Sequence, residues 1–157
     1  MKYILEFFKL LFWLLLCQLP GLAGAAMVQP NLGWYHSLQM PPFMPPDAAF
    51  GMAWGVLYIV LGVAGFLAFR QGLKAARKPL ILFIVQLALN ALWTPVFFGS
   101  HNPAWAMVIL LAMLAEGAWL ACALRQKSRA AAWLMLPYGA WLIYAGYLNA
   151  GMWLLNA

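Results

Sequence analysis

Charge is missing from most of this chain, and that absence constrains the fold more than anything else in it. Five stretches, about 4–26, 47–69, 80–98, 103–124 and 131–154, consist almost wholly of apolar, aromatic and small residues. A helix that crosses the hydrocarbon of a bilayer needs roughly 20 such residues. Lipid offers no partner to backbone N–H and C=O groups, so a spanning segment must satisfy its own, which a helix does. A membrane barrel would instead need alternating ten-residue strands, and none is visible. With 67% hydrophobic and only 8% charged residues, the chain is far from the quarter-charged surface of a soluble domain. The reading is a single all-α membrane domain over 1–157, a bundle of five transmembrane helices.

The net charge of +6 is concentrated in two short clusters, "RQGLKAARK" (70–78) and "RQKSR" (125–129). Neither resembles the aromatic-studded basic groove of a nucleic-acid binder, so no nucleic-acid partner is expected. Both join consecutive spans, and loops rich in Lys and Arg stay in the cytoplasm. Lys2 and Lys9 fall on the same side. The expected protein is therefore a multi-pass integral membrane protein of bacterial type, with a cytoplasmic amino terminus and an external carboxyl terminus. The first span has features of a signal peptide, including a possible cleavage site in "LAGAAM". Glu6 and Lys9 interrupt its leading region, which favours an uncleaved helix. Cys17 and Cys122 fall at different depths, too far apart for a disulfide, and are read as small core residues.

Residues 27–46, "MVQPNLGWYHSLQMPPFMPP", form the expected first outer loop. The pairs Pro41–Pro42 and Pro45–Pro46 stiffen it. Trp34, Tyr35, Phe43 and Met44 make it too apolar for a simple linker. It is expected to cap the mouth of the bundle.

Three spans carry inward-looking faces at helical spacing. They are Gln86, Asn90, Trp93 and Phe97 on the third, Gly51, Trp54, Tyr58 and Gly62 on the second, and Pro137, Trp141, Tyr144 and Leu148 on the fifth. Amides within a membrane turn toward the bundle. The run "NALWTPVFF" (90–98) therefore places an amide and an indole in an apolar hollow. Its Pro95 bends or ends the helix near the membrane exit, and Thr94 is close enough to satisfy a freed carbonyl. Two readings stay open: a pocket for a flat hydrophobic ligand, or helix–helix packing with the amide as glue.

Glu116 is the one acid well inside a span. Reflection through the short turn between spans 3 and 4 sets it near Gln86, which is expected to be its hydrogen-bonding partner. His36 and His101 lie on the outer side and are read as solvated residues. No nucleophile–base pair or metal-ligand cluster stands out, so no metal site is expected and no cofactor is required.

Four segments together resemble the TspO/MBR family, the tryptophan-rich sensory or translocator proteins. They are "WYHSL" (34–38), "PP" (45–46) with "FGMAWGVLY" (50–58), "QLALNALWTPVFFG" (86–99) and "PYGAWLIYAGYLN" (137–149). They occur in the family's order and cover nearly the whole chain. The resemblance implies a five-helix bundle with a ligand cavity capped by the first loop, and a homodimer. It also implies porphyrin, haem-precursor or benzodiazepine-type ligands. Carried over by motif, the ligand-binding residues are Tyr35, Pro45, Met52, Trp54, Asn90, Trp93, Trp141, Ala145 and Leu148. The chain departs from the family at Met40 and Phe43, where Lys and Trp are usual, and at Asp47. No basic residue follows Tyr147, so the sterol-recognition pattern is incomplete. "GMAWG" (51–55) supplies a GxxxG of the kind that pairs membrane helices.

The leading functional reading is an integral membrane binding protein for porphyrin-like ligands, acting in sensing, trafficking or regulation of tetrapyrrole metabolism. A second is a light- and oxygen-dependent porphyrin-degrading enzyme, with Trp54 and Trp141 as the candidate catalytic residues. A third is a small proton-coupled exporter using Glu116.

Overall fold

The computed structural model describes residues 1–73 and 76–157; Lys74 of the first basic cluster lies outside the described residues. Five helices account for nearly all of the rest. They are α1 (Lys2–Ser37), α2 (Asp47–Phe69), α3 (Arg77–Thr94), α4 (Pro103–Arg125) and α5 (Arg129–Leu155), with a π-helical turn at Pro95–Gly99. α1, α2, α4 and α3 with its π-turn are each long and apolar enough to cross a membrane. The 27 residues of α5 are long enough, but Pro137, Asn149 and several Tyr and Trp dilute its apolar character.

The helices close into a ring in which each packs on two neighbours, in the order α1, α2, α5, α4, α3. Association in lipid depends on close packing, which small residues permit. At one end of α2 a Cβ on Gly62 would lie 2.9 Å from the Leu14 Cα. A Cβ on Gly65 would lie 2.8 Å from the Trp13 ring. Trp13 stacks on Phe69 at 4.9 Å and meets Phe83 edge-on at 5.4 Å. α1, α2 and α3 are thus wedged together near the end that carries the basic loops.

α4 and α5 start with side-chain caps. The Asn102 side chain accepts from the Trp105 N–H at the start of α4, with Pro103 in the first turn. The Ser128 hydroxyl accepts from the Ala131 N–H at the start of α5. Pro95 ends α3 and opens the wider π turn. Thr94 does not serve chiefly as a local cap: its side chain packs against Gly24 of α1.

Two expectations are corrected here. The first outer loop does not begin at 27, because α1 continues to Ser37 and carries both Pro20 and Pro30 inside it. A proline removes one backbone hydrogen bond and need not end a helix held by neighbours. The true connection, 38–46, is short and fastened to α5. Tyr144 Oη donates to the Phe43 carbonyl at 2.7 Å, and Tyr147 Oη donates to the Pro42 carbonyl at 3.0 Å. Asn156 binds Gln39 at both its N–H and its carbonyl. The second correction concerns the cysteines. Both are free and Cys17 is buried, but Cys122 is exposed on the outside of α4 and is not a core residue.

Candidate functional site

The helices that are wedged together at one end separate toward the other. A cavity of about 460 Å³ opens there between α1, α2 and α3, within the usual range for small-molecule sites. Tyr35, Trp54, Tyr58, Trp93 and Phe98 supply its aromatic wall. Pro20, Gly21 and Gly24 form the α1 side. Leu22, Ala25 and Gln29 on α1, with Ala48 and Gly51 on α2, also line it and are exposed, so they form its rim.

Polar groups are few, and they are connected. The Asn90 amide donates to the Gln86 carbonyl and to Tyr138 Oη, both at 2.7 Å. The Gln86 amide also donates to Tyr138 Oη. Trp93 Nε1 donates to Asn149 Oδ1 at 3.3 Å, and Asn149 in turn donates to the Pro103 carbonyl at 2.7 Å. These bonds tie α3 to α5, and α5 to the start of α4, in an apolar interior. Asn90 Oδ1 is buried with no hydrogen-bond donor. Asn90 lines the cavity, with that oxygen closed off in the packed interior.

The structure gathers Tyr35, Trp54, Asn90 and Trp93 around this cavity. The other sequence-derived candidates lie elsewhere. Trp141 touches Trp54 edge-on at 6.2 Å, but it lines a separate open groove between α2 and α5, together with Met52. Met52 is 66% exposed on the outer face of α2. Ala145 and Leu148 are buried in the core of the bundle and do not line the cavity. Pro45 sits in the loop above α2, outside the lining. Their helical spacing is sound, but the α5 face they define meets α2 and α4 rather than the hollow.

The expected bond between Gln86 and Glu116 is not made. Gln86 turns to Tyr138, and both carboxylate oxygens of Glu116 are buried without a donor. Reflection through the turn placed the two helices correctly side by side. A Cβ on Gly117, next to Glu116, would lie 3.7 Å from the Gln86 amide nitrogen. The inward position thus belongs to the glycine. Glu116 does not line the cavity.

Apart from Tyr35, sequence reasoning missed the α1 wall, and also Tyr138 and Asn149. α1 is apolar on every side, so it shows no face by periodicity. The close spacing of Pro20, Gly21 and Gly24 was the available signal. Gly51 and Gly55 of the α2 GxxxG line the cavity, and a Cβ on either would meet nothing within 4 Å in the single chain.

The histidines fasten the end away from the basic loops. His36 Nε2 lies 2.7 Å from Asp47 Oδ2, linking the end of α1 to the start of α2. His101 stacks on Trp34 at 4.2 Å and hydrogen-bonds Asn31 at 2.8 Å. Among the described residues no group of three or more His, Cys, Asp or Glu could hold a metal.

A ring of apolar helices around an aromatic hollow defines a helical membrane protein with an interhelical pocket. Residues 13–154 match the TspO/MBR family, and the chain belongs to it. It is 42% identical over 142 residues to the translocator protein of Bos taurus, covering 86% of this chain and 84% of that protein. It is 33% identical over 138 residues to the tryptophan-rich protein TspO of Archaeoglobus fulgidus, covering 87% and 90% respectively. It is 36% identical over 145 residues to protein CrtK of Rhodobacter capsulatus, covering 89% and 88%. This company supports a membrane binding or regulatory role.

Proposed function

We propose that the chain is a membrane-embedded binding protein for flat, hydrophobic ligands of the porphyrin class. The observation that carries this reading is a cavity of about 460 Å³ walled by Tyr35, Trp54, Tyr58, Trp93 and Phe98, with Asn90 in its lining. A flat ring system would stack on Trp54, Tyr58 and Trp93, with the Asn90 amide beside its polar edge. Stacked aromatic pairs contribute roughly 0.5–1.5 kcal/mol beyond area burial. Glu116 lies outside the cavity lining, so the cavity offers the exporter reading no support.

Titration of the detergent-solubilised protein with protoporphyrin, followed by tryptophan fluorescence, tests the proposal. Saturable quenching is expected, weakened in Asn90→Leu. Quenching equal to that of free tryptophan, or unchanged by Asn90→Leu and Trp54→Phe together, would overturn it.

We further propose that the amino terminus and both basic loops face the cytoplasm, on the strength of their Lys and Arg content. A reporter inserted after Gln71 should then be found inside and one fused after Ala157 outside. Both on one side would contradict this orientation.

A further inference from the structure

The α4–α5 turn carries a second recess, of about 350 Å³, lined by Arg125, Arg129, Ala132, Trp133 and Leu136. Arg125 is the last residue of α4 and Arg129 the first of α5. Ala132 and Leu136 follow Arg129 on one side of α5, at the spacing of a helical face. Trp133 is 68% exposed. Two guanidinium groups thus stand at the head of an apolar strip that runs into the membrane.

The chain supplies no carboxylate for this pair. It has three acidic residues in all. Glu6 pairs with Lys9 and Asp47 with His36. Glu116 is nine positions before Arg125 on α4, about 13 Å along the axis. The two guanidiniums therefore look outward for a counter-charge. The same end of the bundle is basic elsewhere: Lys78 lies over the Trp119 ring at 5.4 Å, and Arg70 lies over Phe66 at 5.9 Å.

We propose that the Arg125–Arg129 recess binds one anionic phospholipid. Its phosphate sits between the two guanidiniums, in the forked geometry that arginine offers to phosphate. Its first acyl carbons lie along Ala132 and Leu136, and Trp133 flanks the headgroup at the interface where indoles settle. The site is separate from the α1–α2–α3 cavity and does not depend on what that cavity binds.

Native mass spectrometry of the full chain in detergent, with equal amounts of phosphatidylglycerol and phosphatidylcholine, tests it. One phosphatidylglycerol should be retained preferentially. A basic residue at an anionic surface gives about fivefold in affinity, so Arg125→Gln with Arg129→Gln should cut the preference roughly 25-fold. Arg70→Gln with Lys78→Gln, which removes as much charge from the same end, should leave it standing. The comparison of the two lipids on the unaltered protein is informative even if the double variant folds poorly. Equal retention of both lipids would overturn the proposal. So would an equal loss in the Arg70/Lys78 variant, which would mark diffuse charge. Displacement of the lipid by an equal concentration of inorganic phosphate would also overturn it, by showing a free-anion site.

Discussion

α2 carries two pairs of glycines, and their surroundings are opposite. Gly62 and Gly65 are filled to contact by Leu14, Trp13 and Phe83, while Gly51 and Gly55 face open space. The residue type is the same, and so is the helix. The partner helix makes the difference. Where α1 brings Trp13 and Leu14, the glycines are seats for close packing. At Gly51 and Gly55 no side chain comes within reach, because Gly21 and Gly24 of α1 are taken up by Tyr58 and Thr94, and a hollow remains. A pocket in this bundle thus lies where the glycines of α2 meet no neighbour, and glycine alone does not mark it.

Substitution at the packed pair should have the largest effect. Gly62→Ala sets a methyl 2.9 Å from the Leu14 Cα and 3.1 Å from the Trp13 carbonyl oxygen, and backbone cannot step aside as a side chain would. Overpacking of this kind costs about 1–3 kcal/mol, to be read as a lowered unfolding midpoint in detergent. An unchanged midpoint would mean the two ends of α2 do not differ as described.

Gly55→Leu makes the converse test. Its side chain would enter vacant space, so the midpoint should hold while protoporphyrin affinity falls. Loss of folding together with loss of binding would erase the contrast.

Tyr138→Phe should rank third. It takes from the Gln86 and Asn90 amides their shared acceptor, and polar contacts between membrane helices average near 0.6 kcal/mol with a ceiling around 1.7. The midpoint should drop modestly, and less than for Gly62→Ala.

Trp54→Phe should weaken porphyrin binding severalfold, with a smaller loss in Trp141→Phe, since only Trp54 lines the cavity. Equal losses would extend the site into the α2–α5 groove. Glu116→Gln should change least, in stability and in binding, because its oxygens make no hydrogen bond to lose.

Much of this architecture is legible in the sequence, and the misses have physical causes. Four of the five helices begin and end within a few residues of the apolar runs, since hydrocarbon thickness sets the length of a span. α1 overruns because the Pro-rich segment from Met27 onward reads as a loop, whereas a helix with tertiary support can carry a proline inside it. The α3 face is legible because amides in an apolar helix are rare enough to mark a side: Gln86, Asn90, Trp93 and Phe97 are all buried. The α5 face is equally regular, yet periodicity says that a side is buried and not which helix buries it. Trp141 and Leu148 were assigned to the hollow on that account. The partner of an intramembrane acid was equally out of reach, since one residue of rotation exchanges Glu116 for Gly117.

The staple between the 38–46 connection and α5 bears on the route of the proposed ligand. Tyr144, Tyr147 and Asn156 hold that connection down, while the cavity rim of Leu22, Ala25 and Gly51 lies open along the flank of the bundle. A guest of the proposed kind that enters along this flank dissolves in the bilayer first. The concentration that governs occupancy is then moles of ligand per mole of lipid, and not its aqueous molarity. Two guests of equal intrinsic fit will rank by their oil–water partition, and adding empty vesicles will strip the protein by dilution alone.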